Sequence, residues 1–418
     1  MTTRDLGAAV VAFTLPSGIL VGDTVYMASR NIEPMKIVGY HLPTQKVTSV
    51  ATGSGLTSQA LGADPAGRYL YVGVDHERAG HHNLYRLDLT DPTGPIEDLA
   101  EIEGLNIIAL TVSPDGQVFF CGTEKSPKVY QYDPVTRKVT DFGSPDPLAT
   151  MGRAIVATES TVFYGSGSVL SGGGDASRAE VFAVDRATGA VASITPPEIA
   201  AAPVVRDLQI IGDQLAVGTQ GSPTPAPFAF VDLDDYSSVT VVDTSGTSAK
   251  LFREHDDRVY FVGLTGIGVH TPSTGAVEEI KVPGIGDPVR RTELWRLDPK
   301  QSSSGFAGLA VLGRHLYAMG NKGQLFVIDR HSRAIVHTAD HKSIVPDLST
   351  LLVHRGHVYG ASRTTLYRID RKTFEITALV TGLAGKWYGI PRICVDERGR
   401  FYVLRDRNLI QVAIPHQG

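Results

Sequence analysis

The 418-residue sequence predicts an all-β fold made of repeated four-stranded antiparallel units. Three observations lead there. First, a tight polar turn followed by a β-branched or aromatic run recurs along the whole chain: DTVYMAS, GRYLYVGV, GQVFFCGT, STVFYGSG, DQLAVGTQ, DRVYFVGL, RHLYAMGN, GHVYGASR and GRFYVLRD. Second, several of these are followed by an apolar run that ends in Asp, turns, and starts another short strand: NLYRLDLTD, KVYQYDPVTRKV, EVFAVDRATGAV, QLFVIDRHSRAI and TLYRIDRKTFEI. Third, no stretch holds apolar residues at i, i+3, i+4 and i+7 for three turns, so helical patterning is almost absent.

Taken in order, the chain opens with AAVVAFTL (residues 8–15), a strand outside the repeat. Units then start near 19, 58, 106, 152, 205, 249, 306, 349 and 389, at intervals of about 40 to 57 residues, the span of one four-stranded propeller blade. Apolar runs such as NIIALTV, RDLQII, GLAVL and RICV supply the innermost strands. The expectation is therefore a single β-propeller domain over residues 1–418, with nine blades counted. Eight is the fallback, because the unit over 248–284 follows the repeat least well. The last unit, from Tyr388 to Gly418, supplies only three strands. The N-terminal strand 8–15 is expected to complete it, closing the ring and covering an otherwise bare sheet edge. Two separate β domains are the competing arrangement, but no Pro/Ser-rich linker marks a boundary.

Composition bounds the rest. Apolar residues make up 42% of the chain and charged residues 20%, which excludes an intrinsically disordered chain. The net charge of −5 argues against a nucleic-acid partner. No apolar run approaches the roughly 18 residues that span a bilayer, so no membrane partner is expected. The N-terminus has no signal-peptide pattern, and Cys121 and Cys394 fit no metal or redox spacing and read as two thiols. Both features point to the cytoplasm, or to secretion if a leader has been removed. A monomer is the working expectation.

ADPAGRYLYVGV (63–74) and VSPDGQVFFCG (112–122) resemble repeats of the YVTN and lactonase-type propellers, and the wider pattern is similar to streptogramin-lyase and related polysaccharide-lyase propellers. The resemblance covers the blade repeat only. It implies a propeller fold and carries no catalytic motif onto named positions.

In such a fold, minimal turns on one face contrast with longer loops on the other. Here the long loops are 74–83, 165–178, 219–228, 284–305 and 382–389. Both tryptophans, Trp295 and Trp387, fall in them, where an exposed indole suits stacking on a sugar ring. Arg291 lies in the same loop as Trp295 and joins the substrate-binding set. Arg153, Arg206, Lys250 and Arg392 stand near the starts of innermost strands. Four cations there would focus a positive potential on a carboxylate, phosphate or sulfate. The alternative is that each pairs with a carboxylate such as Asp207 or Asp175 and staples neighbouring blades. The cluster Asp75, His76, Glu77, His81 and His82 has metal-ligand residue types but no recognised spacing, so it reads as a polar rim with a metal as the alternative, and no cofactor is expected. His255, His315, His354 and His357 fall in or beside the short turns and read as solvated. The Asp that ends each third strand (Asp88, Asp133, Asp185, Asp329, Asp370) reads as a turn cap.

These features suggest an enzyme that binds an acidic small molecule or uronate sugar. The chemistry would be lyase action by β-elimination, which needs cations on the carboxylate, a base, and an acid for the leaving oxygen. Tyr388 would be the base, with its pKa lowered by nearby cations, and His76 base or acid. The first alternative is a non-catalytic propeller that binds a ligand or protein. The second is a cyclase or lactonase acting on an acidic metabolite.

Overall fold

The computed structural model describes residues 2–8, 18–28, 34–44, 46–55, 57–75, 82–91, 94–124, 126–168, 178–220, 226–244, 253–254, 256–262, 266–282, 306–320, 323–386, 391, 393–396 and 398–414. Within them every regular element is a β-strand, apart from two 3-10 turns at Ile199–Ala201 and Pro272–Thr274. Consecutive strands pair antiparallel, neighbour to neighbour, into four-stranded modules.

Five modules belong to one compact part of the chain, residues 15–243 with 247–250. They begin at Gly18, Thr57, Asn106, Met151 and Val204. The fourth and fifth are joined into one eight-stranded sheet by a bridge between Gly167 and Val204. Only glycine fits there, since a Cβ on Gly167 would come within 2.3 Å of the Pro203 carbonyl oxygen.

The other compact part comprises residues 1–14, 244–246 and 251–418. Its modules begin at Arg253, Phe306, Ser349 and Cys394. The sixth module, where the repeat is weakest, is still four-stranded, but its first strand has shrunk to Arg253–Glu254. The ninth contributes Cys394–Val395, Arg400–Arg405 and Asn408–Ala413, and the N-terminal strand Thr2–Ala8 pairs with the last of these as the outer strand. That strand lies earlier than the 8–15 expected from hydropathy; of the expected span, only Ala8 is among the described residues. Main-chain pairing, not apolar content, decides its place, and its described side chains are mostly exposed.

The core explains the sequence pattern. Among the described residues, each hydrophobic cluster is shared by two successive modules. Tyr71, Leu84 and Ile107 meet Phe120 and Tyr130 between the second and third, and Leu309 and Leu316 meet Ile267 and Ile280 between the sixth and seventh. Second strands therefore have buried neighbours on both faces and read as continuous apolar runs. VFFCGT (118–123) is buried except at its end, whereas the outer strand Lys138–Asp141 is exposed throughout.

The recurrent aspartates cap turns as expected. Asp185 Oδ1 accepts the backbone N–H groups of Ala187 and Thr188, and Asp370 Oδ1 those of Lys372 and Thr373. Cys121 is buried, and both cysteines remain thiols. The histidines beside the short turns are a correction. His315 packs edge-on against Phe374 and His354 against Phe401, so both residues are half-buried between modules and only partly solvated, while His255 lies outside the described residues. The turns are short enough to bring the next module's aromatic residue over them.

Candidate functional site

Of the residues singled out from sequence, Arg153 and Arg206 lie among those described. Tyr388, His76, Lys250, Arg392, Trp295, Trp387 and Arg291 lie outside them. So do Asp175 and His81.

Arg153 is in the first strand of the fourth module, Met151–Ala157, and Arg206 in the first strand of the fifth, Val204–Ile211. The two strands lie against one another. Both arginines occupy the same kind of position. The register with the second strand runs Gly152 to Ser166 and then Ala154 to Gly165, which leaves Arg153 as the extra residue of a β-bulge. In the fifth module it runs Val205 to Thr219 and then Asp207 to Gly218, which leaves Arg206 as the extra residue. A bulge breaks the two-residue alternation, turns a side chain away from the regular faces, and recurs beside functional sites. The third module repeats it: Ile107 faces Gly122 and Ala109 faces Cys121, so Ile108 is the extra residue.

Both arginines are the third residue of their strands, and the bulges are a feature not expected from the sequence. Their signal was one surplus residue in the first strand, opposite the glycine that recurs late in the second.

Around the arginines the charges are mixed. Arg153 Nη1 lies 3.5 Å from Met151 Sδ. Arg206 Nε lies 3.9 Å from Asp207 Oδ2, too long for a hydrogen bond but close enough for attraction. Three further carboxylates, unremarked in the sequence, belong to the third and fourth modules: Glu124 just after Val118–Thr123, Asp146 in the loop before Met151–Ala157, and Glu180 at the start of Glu180–Asp185. Asp146 is buried and accepts the Ser166 hydroxyl at 2.9 Å and the Leu148 N–H at 3.1 Å. Ser166 pairs across the sheet with Glu180, whose pKa is raised by burial and by the charge of Asp146. Glu124 accepts the Tyr130 hydroxyl at 2.9 Å and the Lys128 N–H at 3.0 Å, yet burial still raises its pKa. His82 Nδ1 lies 3.7 Å from Asp98 Oδ2, and among the described residues no three His, Cys, Asp or Glu are grouped to hold a metal.

No family model matches the chain, and no curated protein matches it. Solved structures do. Sqt1 from Saccharomyces cerevisiae is 10% identical, with 98% of this chain and 99% of that one covered at a TM-score of 0.51. The computationally designed protein Ika8 is 13% identical, with 89% and 99% covered at 0.51. The β-propeller domain of Myceliophteria thermophila Cps50 (Swd1) is 14% identical, with 90% and 99% covered at 0.45. The chain is an all-β propeller, and at these identities the likeness speaks to fold alone.

Proposed function

We propose that the protein binds a carboxylate-bearing small molecule at the edge where the fourth and fifth modules' first strands begin. The observation that supports this is the placement of Arg153 and Arg206 as equivalent bulge residues on two strands that lie against one another. Paired guanidinium forks suit a carboxylate, because each can donate two parallel hydrogen bonds to it. Half-burial lowers the local dielectric and strengthens that attraction. Calorimetric titration with short carboxylates and galacturonate tests the reading. Arg153→Ala and Arg206→Ala should each weaken binding about tenfold, the loss of roughly one charge-assisted contact, while the methyl esters should not bind. Unchanged affinity in both variants would remove this edge as the site.

The catalytic form of the proposal is β-elimination, with Lys250 and Arg392 adding charge, Tyr388 as base, His76 as its acid partner, and Trp295, Trp387 and Arg291 holding the ring. Galacturonate oligomers with a leaving group should then give an unsaturated product, followed by its ultraviolet absorbance. Tyr388→Phe should abolish product formation with binding retained. Binding without turnover of any such acid favours the non-catalytic reading, and ring opening or closure without unsaturation favours the lactonase or cyclase one.

A further inference from the structure

We infer that the acid taken at this edge carries an apolar body, so that the ligand class is an aromatic or aliphatic carboxylate and not a hydroxyl-rich sugar acid. The inference rests on the anion-binding reading above and narrows it, putting an apolar acid in place of the uronate of the catalytic form.

Three successive first strands carry the argument: Asn106–Val112, Met151–Ala157 and Val204–Ile211. The first lies against the second, and the second against the third. In each, the bulge falls at the same level, opposite a glycine or the residue next to it: Gly122 and Cys121, Ser166 and Gly165, Thr219 and Gly218. Ile108, Arg153 and Arg206 are therefore one row of re-aimed side chains, one apolar and two cationic.

Ile108 behaves differently from its neighbours. Ile107 is buried in the cluster shared by the second and third modules, and Leu110 and Val112 pack against that cluster. Ile108 has no place in it and is half-buried. Beside the row, two residues before Arg153 on the same strand, stands Met151, buried and with its sulfur 3.5 Å from Arg153 Nη1. A thioether is polarisable and suits the edge of an aromatic ring. A ligand with its carboxylate on the guanidinium groups thus meets an isoleucine on one side and a thioether beside it. A sugar acid laid there would bury hydroxyls against carbon and sulfur without returning their hydrogen bonds. An aryl or alkyl chain would instead remove Ile108 from water.

Calorimetric titration of the full chain with acetate, phenylacetate and galacturonate tests this. Phenylacetate should bind about tenfold or more tightly than either of the others, in the range one apolar contact gives. Ile108→Thr keeps a β-branched side chain and should weaken phenylacetate about fivefold or more while leaving acetate unchanged. The wild-type ranking needs no variant, so a poorly folding Ile108→Thr leaves the proposal testable. Galacturonate binding as tightly as phenylacetate, or a well-folded Ile108→Thr with undiminished phenylacetate affinity, overturns the inference while leaving the anion site standing. Failure of all three acids to bind overturns both.

Discussion

Arg186 joins two turns that are 71 residues apart in the chain. Its Nη1 and Nη2 donate to Asp115 Oδ1 and Oδ2 at 3.0 and 2.6 Å, and Nη1 also donates to the carbonyls of Thr158 and Glu159. The guanidinium sits over the Phe119 ring. In the other compact part, Arg330 repeats the arrangement, donating to Asp256 and to the Gly313 carbonyl. Each arginine directly follows a turn-capping aspartate, so the dipeptide Asp-Arg divides its work: the first residue closes its own turn and the second reaches the preceding module. Arg186→Ala should lower stability by about 1–2 kcal/mol, since a nearly buried donor leaves several acceptors without it. The Arg186 hydrogen bonds hold Asp115 below the usual carboxylate range, with Ser113 adding to them. A lowered folded-state pKa stabilises above the unfolded value near 3.9 and loses that contribution as pH falls. The gap between wild type and variant should therefore be steady near neutrality and narrow below about pH 4. Urea unfolding over a pH series measures it, and a gap that widens in acid would contradict the assignment. The cap was legible in sequence because it is local and recurs. The partner of the arginine was not, because only folding brings it within reach.

At the scale of an element, the glycine that recurs late in several second strands has a purpose that the repeat alone conceals. A Cβ on Gly73 would lie 2.3 Å from Ile107 Cγ2, and one on Gly165 would lie 2.5 Å from Val205 Cγ1. In both cases the colliding residue belongs to the first strand of the following module and immediately precedes its bulge residue. The glycine lets one module's second strand accept the next module's first strand at close range. It thereby sets the level at which Ile108 and Arg206 emerge. Gly165→Ala should displace Val205 and cost about 1–3 kcal/mol, the usual penalty for overpacking. The same variant should weaken carboxylate binding, whereas Gly22→Ala, strained by its φ of +54° though its Cβ meets nothing within 4 Å, should lower stability without that loss of binding. Equal effects on binding from the two substitutions would detach the glycine from the site. The unexpected carboxylates Glu124, Asp146 and Glu180 have the same explanation. Glu124 and Glu180 lie at strand ends and Asp146 in a loop, where sequence gives no periodicity to read, and register alone brings Glu180 opposite Ser166.

For the molecule as a whole, the pairing of its two ends matters most. Thr2 pairs with Ala413 and Asp5 with Ile410, and Asn408 Nδ2 donates to Asp5 Oδ2 at 3.0 Å. Closing a contact across so much chain is entropically costly and is offset only when the intervening modules are already folded. Removal of residues 2–8 should expose the edge of Asn408–Ala413 to solvent. A bare edge invites pairing with another chain. The truncated protein should show a lower thermal midpoint, by roughly 2–4 °C for each kcal/mol lost, together with concentration-dependent self-association in light scattering. A truncated chain that stays monodisperse with an unchanged midpoint would show that this pairing does not protect the edge. Sequence gave reason to expect an N-terminal strand in this place but pointed to a later segment, because apolar content marks buried strands and this one is held by its main chain.

The repeat, the strand-rich composition, the aspartate-capped turns and the absence of helical patterning were all settled by local order along the chain. They follow from side-chain alternation and turn chemistry, which act over a few residues. The bulges, the glycine contacts, the row of Ile108, Arg153 and Arg206, and the carboxylates beside it were decided only in three dimensions. They depend on which strand faces which and at what register, and a single surplus residue changes what a side chain meets.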